Sequence, residues 1–444
     1  MKKNISITLG VLFLAFANFS FGEKYQTLDH PKDNEKYQKI FGVTPYIASG
    51  ANAYPIPHVL DSLDGKGKIA TAQEWNNHAR NNILKFYEDH VYGKIAPRPE
   101  SLKFELFESS DNALEGTALR RQYKIISTDK FGSHEFIVLV YLPKNVEGKV
   151  PAFVYQNFWG NYSLTDEKQI PLPKFRYSGT QKIPVKENAR GSRDRLPVRD
   201  IIARGYAVAT FCYCDVYPDL IKKDGAPESI YKIFHKEPKY PECMPFPAWA
   251  WGNMRVMDLL ESIPEVDSKK VAVVGHSRLG KTSLITGAYD KRFAYVIVNN
   301  SGCLGDALSK RKYGESIHIM GNLIFHYWLM PDMKKYANNE GELPLDQHHL
   351  LATIAPRMLY TAAATEDVWA DPEGQLLGLI HSTPAFALFG AKNFPTLDAL
   401  EIEKPFHGDV AFHIRRGKHN ITPYDWKNFM DYAQKCGWEP KKTK

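Results

Sequence analysis

The sequence has few cysteines and no paired cysteine motif. Five occur in 444 residues, and none forms a C-x-x-C pair, which argues against a zinc or dithiol redox centre. No H-E-x-x-H or other metal-ligand spacing occurs, so no metal site is predicted. Because the number is odd, at least one thiol is unpaired. We interpret the cysteines mainly as small buried apolar side chains. In an oxidising compartment, two of them could also form a disulfide.

Long apolar runs are absent after the first residues. Residues 5–16 are mostly apolar but short, with Lys2 and Lys3 before them and small residues behind, which is typical of a secretory signal peptide. No later run reaches the ~20 residues of a spanning helix. We therefore expect residues 1–22 to be a signal peptide and the mature protein to be exported, periplasmic or secreted, with no membrane partner.

Neither positive nor negative charge dominates the sequence. The net charge of +7 is modest and includes the basic ends of the chain, and no basic stripe with interleaved aromatics is evident, so no nucleic-acid partner is predicted. Repeats and linkers are absent, and 43% of the residues are hydrophobic, enough for a large core. We expect residues 23–444 to form a single domain and the protein to be a monomer.

The order of the predicted elements indicates the fold class. From residue 150 onward, buried strand-like runs alternate with helical segments, which predicts a mostly parallel sheet with helices on both faces. Residues 122–127 and 134–142 alternate around a turn and predict an antiparallel hairpin at one edge. The sequence therefore predicts an α/β-hydrolase fold, a three-layer αβα sandwich. We expect residues 23–70 to be an extended cover and residues 162–200 to be loop.

A candidate nucleophile follows a buried strand. Val271–Val274 is apolar and β-branched in character, Gly275 ends it, and a helix is predicted from Lys281 to Tyr289. α/β-Hydrolases present a serine on such a strand-to-helix turn, and here it is Ser277. The usual pattern is G-x-S-x-G, whereas Gly280 comes one residue late. The alternative is an ordinary capping serine.

Candidates for the base and the acid follow in the chain order of these enzymes. His419 lies on a loop after the last predicted strand, and a carboxylate belongs just beyond the strand that ends near Ala363. Glu366, Asp367 and Asp371 all qualify there. Four other histidines are interpreted as structural or exposed: His276, His348, His349 and His413.

The turn after the strand 150–156 is a further candidate. In hydrolase sheets the loop at this place often donates an N–H to the oxyanion hole, and here it includes Asn157–Asn161. The alternative is a surface turn. A basic cluster follows at Arg190, Arg193 and Arg195, and most such clusters are solvated faces.

Several of these segments resemble one family, the glucuronoyl esterases of carbohydrate esterase family 15. The segment Gly275–Lys281 matches that family's pattern G-x-S-R-x-G-K, which accounts for the late glycine. Asn157–Asn161, the pair Asp367 and Trp369, and Gly417–His419 resemble the family in the same order, so the similarity covers most of the mature chain.

The resemblance implies a role for each matching residue. Ser277 would attack the ester carbonyl, His419 would be the general base, and Arg278 would direct its guanidinium at the oxyanion. On the substrate side, Lys281 and Glu315 would hold the hydroxyl groups of glucuronate, and Trp369 would pack against the sugar ring.

One position departs from the family pattern. Asn300 stands where many members have a glutamate that orients the histidine. A neutral amide stabilises an imidazolium less well than a carboxylate does. Some bacterial members place the acid in the later loop, so we assign the triad as Ser277, His419 and Asp367.

The resulting hypothesis is an exported serine carboxylesterase that needs no cofactor. It would cleave esters between the glucuronic acid side groups of xylan and lignin alcohols through an acyl-enzyme. One alternative is an exported carbohydrate acetylesterase, which would not need Arg278, Lys281 and Glu315 around a glucuronate. Another is a weakly active carbohydrate-binding homologue. This alternative rests on Asn300, a neutral side chain at the position where many members have the acid.

Overall fold

The computed structural model describes most of the chain, and no described helix is long and apolar enough to cross a membrane. The predicted signal peptide lies, apart from its last residue, outside the described residues. The described ranges are 22–52, 54–65, 67–144, 146–178, 181–220 and 224–442.

Within these ranges, ten strands form one sheet in the order β1-β2-β3-β7-β4-β8-β9-β10-β12-β11. Neighbours from β7 to β12 are parallel, while β1, β2, β3 and β11 pair antiparallel at the two edges. The remaining two strands, β5 and β6, form a separate hairpin. The strands are β1 Ser101–Ala113, β2 Ala118–Asp129, β3 Gly132–Pro143, β4 Val150–Asn157, β5 Phe175–Ser178, β6 Gln181–Pro184, β7 Ala207–Cys212, β8 Val266–His276, β9 Tyr295–Asn299, β10 Met358–Ala364, β11 Phe406–His407 and β12 Ala411–Arg415.

Helices connect the parallel strands, and shorter 3-10 turns fill the long loops. The α-helices are α1 Pro31–Phe41, α2 Ala72–Glu74, α3 Arg80–Phe86, α4 Val198–Ala203, α5 Pro245–Glu261, α6 Arg278–Tyr289, α7 Gln347–Ala352, α8 Pro372–Ala387 and α9 Pro423–Lys435. Wider π-type turns are Trp75–Ala79, Tyr87–Tyr92 and Ile319–Ile324. The 3-10 turns are Ala48–Gly50, Asn161–Ser163, Glu187–Ala189, Tyr213–Asp215, Ala226–Glu228, Ile230–Ile233, Ser309–Arg311, His326–Trp328, Pro331–Tyr336, Glu340–Glu342, Val368–Ala370 and Leu397–Leu400.

The central strands are buried on both faces. Successive side chains of a strand point to opposite faces, and in β8 the side chains of Val271 and Val273 join one apolar core, packed with α5 to α8. Ala272 and Val274 join a second core, packed with α4 and α9. Helices on both faces of a mostly parallel sheet confirm the predicted three-layer α/β fold.

Two predictions about local structure need correction, and three further features were not predicted. The segment 23–70 contains α1, the region 162–200 contains the β5–β6 hairpin and α4, and the second sheet edge is also antiparallel. Strand β1 was not predicted, because its side chains are largely exposed and lack a buried apolar alternation. The segment 316–328 is not one continuous helix, because it is interrupted at Phe325, whose ring stacks on Trp328 with centroids 3.9 Å apart.

Capping boxes begin two helices, and the cysteines are unpaired. Thr71 and Glu74 form a capping box at the start of α2, and Thr422 caps α9. All five cysteines are free thiols. Four are buried as expected, but Cys436 is exposed.

Candidate active site

Ser277 occupies a sharp turn between β8 and α6. Its backbone has φ 60° and ψ −130°, a conformation that side chains rarely adopt, and its N–H donates to the carbonyl oxygen of Asn299 at 2.9 Å. A Cβ on Gly275 would lie 1.7 Å from the carbonyl oxygen of Leu279, so only glycine fits there. The turn therefore places the serine directly at the N-terminus of α6, where backbone N–H groups and the helix dipole favour negative charge.

Glycine is also required at position 280, because the backbone there lies close to the end of β9 and the residues that follow it. A Cβ at this residue would lie 2.8 Å from Cβ of Ser301 and 3.2 Å from the carbonyl oxygen of Asn299. The first turn of α6 thus passes directly against the end of β9. This contact gives a physical reason for a glycine at position 280.

His419 and Asp367 meet although 52 residues separate them. Nδ1 of His419 lies 2.6 Å from Oδ2 of Asp367, whose side chain is 3% exposed. The same oxygen accepts a bond of 2.6 Å from the amide of Asn300. Of the other two candidate acids, Glu366 is exposed, and Asp371 pairs with Arg311 at 2.9 Å.

His276 lies between the serine turn and the histidine loop. Its ring centroid is 4.5 Å from that of His419, which places the His419 ring next to the residue that precedes Ser277. Burial, with smaller effects from His419 and Arg195, lowers the pKa of His276 well below its usual range, so this ring is neutral. The Ser277 hydroxyl makes no hydrogen bond within the described part of the chain, and such contacts are often loose without substrate.

A buried arginine holds the loop that carries His419. Arg415 donates to the carbonyl oxygens of Arg416 at 2.9 Å and Lys418 at 3.1 Å, and also to that of Asn420. Its Nε donates to Asp425 on α9 at 2.8 Å. Burial alone would raise the pKa of Asp425, but hydrogen bonding to His413 and the charge of Arg415 lower it. The contact between Arg415 and Asp425 was not predicted, because nothing in the local sequence indicates that these two residues pair.

Arg278 is held in place by a carboxylate from the insertion after β7. Its Nη1 donates to Asp219, and its guanidinium lies over the rings of Trp328 and Phe325, 4.8 Å and 5.6 Å from their centroids. Its buried Nε has no partner within the described residues. Asp219 also accepts bonds from three neutral donors on neighbouring loops: Tyr213 at 2.9 Å, Tyr327 at 2.7 Å and Trp328 at 3.0 Å.

The three residues assigned to the sugar form one connected set. Nζ of Lys281 lies 3.0 Å from Oε2 of Glu315, and both side chains are nearly buried. Nε1 of Trp369 donates to Oε1 of Glu315 at 3.3 Å. Tyr37 of α1 stacks on Trp369 with centroids 5.1 Å apart. Tyr37 was missed, because its segment was interpreted as an extended cover.

The turn after β4 is packed against the basic cluster. The N–H of Gly160 donates to Oδ1 of Asn157 at 2.6 Å, so this N–H is already engaged within the turn. The guanidinium of Arg193 lies 4.3 Å from the centroid of Trp159. Arg195 lies over the same ring at 4.9 Å and donates to Asn420 at 2.7 Å. The interpretation of this cluster as a solvated face is therefore wrong for Arg195.

Titratable side chains do not gather into a metal site in the part of the chain that the structure describes. No group of three or more histidine, cysteine, aspartate or glutamate side chains there is placed to hold an ion.

The mostly parallel sheet, the strained serine turn after β8 and the histidine–carboxylate pair beside it define an α/β-hydrolase. Comparisons with known proteins give the family. The model of the family described as glucuronyl esterase of fungi matches residues 133–389. The carbohydrate esterase MZ0003 of an unknown prokaryotic organism is 35% identical over 387 residues, covering 86% of this chain and 89% of that protein.

Two further comparisons agree. The solved glucuronoyl esterase from Solibacter usitatus has 36% identity and a TM-score of 0.80, and the match covers 87% of this chain and 98% of that one. The 4-O-methyl-glucuronoyl methylesterase of Schizophyllum commune is 26% identical over 334 residues, 73% of this chain and 71% of that protein. The chain belongs to the glucuronoyl esterase family, carbohydrate esterase family 15, and is a carboxylic ester hydrolase.

Proposed function

We propose that this protein hydrolyses esters of glucuronic acid through an acyl-enzyme on Ser277. The observation that carries the proposal is the 2.6 Å contact between His419 and Asp367, on a loop whose histidine ring packs against the residue before the serine. A serine hydroxyl is a weak nucleophile at neutral pH and needs such an oriented base.

In this mechanism the ester carbonyl lies above the N-terminus of α6. Nε2 of His419 takes the proton as Ser277 Oγ attacks the carbonyl carbon, and Asp367 stabilises the resulting imidazolium through Nδ1. The tetrahedral oxyanion is stabilised by Arg278, whose orientation Asp219 maintains. His419 then protonates the leaving alcohol. In the second half of the reaction it activates a water molecule, which releases the glucuronate and restores Ser277.

The acid half of the substrate is assigned to the set formed by Lys281, Glu315 and Trp369. An ammonium group and a carboxylate at 3.0 Å offer a donor and an acceptor to adjacent hydroxyl groups, as a sugar ring requires. The half-buried indole beside them supplies an apolar surface for the ring. The name of the Schizophyllum commune relative, a 4-O-methyl-glucuronoyl methylesterase, supports glucuronate as the acid.

The natural substrate proposed is the ester between glucuronic acid side groups of xylan and lignin alcohols. Such a polymer lies outside the cell, which agrees with the assignment of residues 1–22 as a signal peptide and with an exported protein. We propose that residues 23–444 act as one monomeric domain. No metal or organic cofactor enters the reaction.

The test measures the hydrolysis of two substrates in parallel assays: a benzyl ester of glucuronic acid and an acetylated xylose ester. We expect wild-type protein to release benzyl alcohol and Ser277→Ala to release none, while Ser192→Ala, at an exposed serine in a loop, keeps wild-type rates. Acetate release alone would indicate an acetylesterase. Failure on both esters, with polysaccharide affinity intact, would indicate a binding protein.

A further inference from the structure

A fully buried carboxylate on α9, that of Asp425, lies beneath the loop that carries the proposed base. Its Oδ2 accepts from Nε of Arg415 at 2.8 Å and from the N–H and the hydroxyl of Thr422, both at 2.7 Å. Its Oδ1 lies 3.0 Å from Nε2 of His413 and accepts from Nδ2 of Asn299, also at 3.0 Å. Burial opposes ionisation, but the contacts with His413 and Arg415 hold the pKa of Asp425 below its usual range, so the group is an anion.

This anion fixes the amide of Asn299, the last residue of β9. A carboxylate only accepts hydrogen bonds, so the NH2 group of Asn299 faces Asp425. The amide oxygen then faces His276, whose Nδ1 lies 2.7 Å away. Because an amide oxygen also only accepts, Nδ1 of His276 carries the hydrogen. The charge of Asp425 therefore determines, through Asn299, which nitrogen of His276 is protonated.

The ring of His276 is held in a neutral form beside the proposed base. Its Nε2 is a buried acceptor that makes no hydrogen bond within the described residues. Its ring centroid lies 4.5 Å from that of His419. When His419 takes the proton of Ser277 it becomes an imidazolium, and a second positive ring at this distance would oppose the new charge. A fixed, uncharged ring at this position removes that repulsion.

Asn299 reaches the base only through His276. The two residues lie opposite each other at the carboxyl ends of β8 and β9, where the parallel strands pair. In the described part of the chain, the side chain of Asn299 bonds only to His276 and Asp425. Its backbone carbonyl accepts the N–H of Ser277 at 2.9 Å, a bond that does not depend on the side chain. A change of the Asn299 side chain therefore acts on the ring of His276 first.

We propose that Asn299 and Asp425 are positioning residues, which hold His276 as a fixed neutral ring beside the base. The inference rests on the proposed function and deepens it, because it concerns the same base, His419. Asp425 would serve this base in two ways. Through Arg415 it anchors the backbone of the histidine loop, and through Asn299 it sets the ring on which His419 packs.

The test is a double-mutant cycle on Asn299 and His276, with kcat and KM measured on the benzyl ester of glucuronic acid. Asn299→Ala leaves His276 without its acceptor, and we expect kcat to fall about tenfold with KM changed by less than about twofold. His276→Phe keeps an uncharged ring that needs no acceptor, so we expect a loss of about threefold at most. In the double variant the loss of Asn299 should add little, because no N–H remains to be oriented. Asn253→Ala is the matched control, at another buried asparagine whose amide donates to Thr286 on α6 at 3.0 Å, and should keep the wild-type kcat.

Thermal unfolding of each variant separates positioning from folding. If His276→Phe does not fold, His276→Leu takes its place in the cycle, since leucine is also uncharged and has no side-chain N–H. Losses that multiply in the double variant would show that Asn299 does not act through His276 and would overturn the proposal. A rise in KM parallel to the fall in kcat, or an unchanged rate in Asn299→Ala, would overturn it as well.

The activity of the wild type distinguishes this inference from the proposed function. In each of the contrary outcomes the wild type still cleaves the ester, so the proposed function stands. If the wild type cleaves no ester of glucuronic acid, the proposed function fails, and the inference about Asn299 and Asp425 fails with it.

Discussion

The clearest prediction concerns the acid of the triad, where Asp367 and Asn300 lie side by side. Oδ2 of Asp367 accepts two bonds of 2.6 Å, one from His419 and one from Asn300. Asp367→Ala removes the only carboxylate that contacts the histidine within the described residues, so the imidazolium loses its stabilising charge. Loss of the acid from a Ser-His-Asp triad lowers kcat by about 10⁴-fold. We expect a loss of about 10³- to 10⁴-fold here.

Asn300→Ala should have a much smaller effect. It removes one hydrogen bond to a charged group, of about 1.5–3 kcal/mol, but the bond between carboxylate and imidazole remains. Only the part of that energy that changes between ground state and transition state affects the rate. We therefore expect a loss of about tenfold or less, where a factor of ten corresponds to about 1.4 kcal/mol.

The assay is kcat on the benzyl ester of glucuronic acid, with thermal unfolding of each variant to confirm folding. Glu366→Ala is the matched control, since it removes the neighbouring exposed carboxylate and should change the rate by about twofold at most. Equal and small losses from Asp367→Ala and Asn300→Ala would refute the reasoning and show that the acid lies elsewhere.

Three further predictions follow from the contacts around the site. Arg415→Lys breaks the bonds to the carbonyl groups of Lys418 and Asn420, on the two sides of His419, and should lower kcat by about 10- to 100-fold with KM little changed; a parallel rise in KM would contradict it. Asp219→Asn removes the negative charge that holds Arg278 and should lower kcat by about tenfold, measured on the same ester against Asp224→Asn as control. Burial lowers the pKa of His349 to about 3, so the free energy of unfolding should fall as the pH drops below about 6.5. Between pH 7 and pH 5 this histidine contributes a loss of about 2 kcal/mol, and in urea titrations His349→Gln should show a weaker pH dependence than wild type.

The local amino-acid sequence was enough to predict the strand–helix alternation and the turn at Ser277. The apolar run Val271–Val274 required a buried strand, and Gly275 has no room for a side chain, so a sharp turn at Ser277 follows from short-range sterics. The alternation of strands and helices after residue 150 is also local, and it was predicted correctly. The family was predicted from sequence motifs, because several segments of this chain match motifs of the glucuronoyl esterases in the same order.

Tertiary structure alone decided which side chains meet. Three carboxylates follow β10, and local sequence does not rank them; the strand order brings Asp367 to His419, while Asp371 is taken up by Arg311. Tyr37 and Asp219 lie in segments without periodicity, and nothing near them in the chain indicates their partners. Hydrophobic periodicity and steric fit act over a few residues. The contact between Asp367 and His419 instead joins two loops that only the parallel pairing of β10 and β12 places at the same end of the sheet.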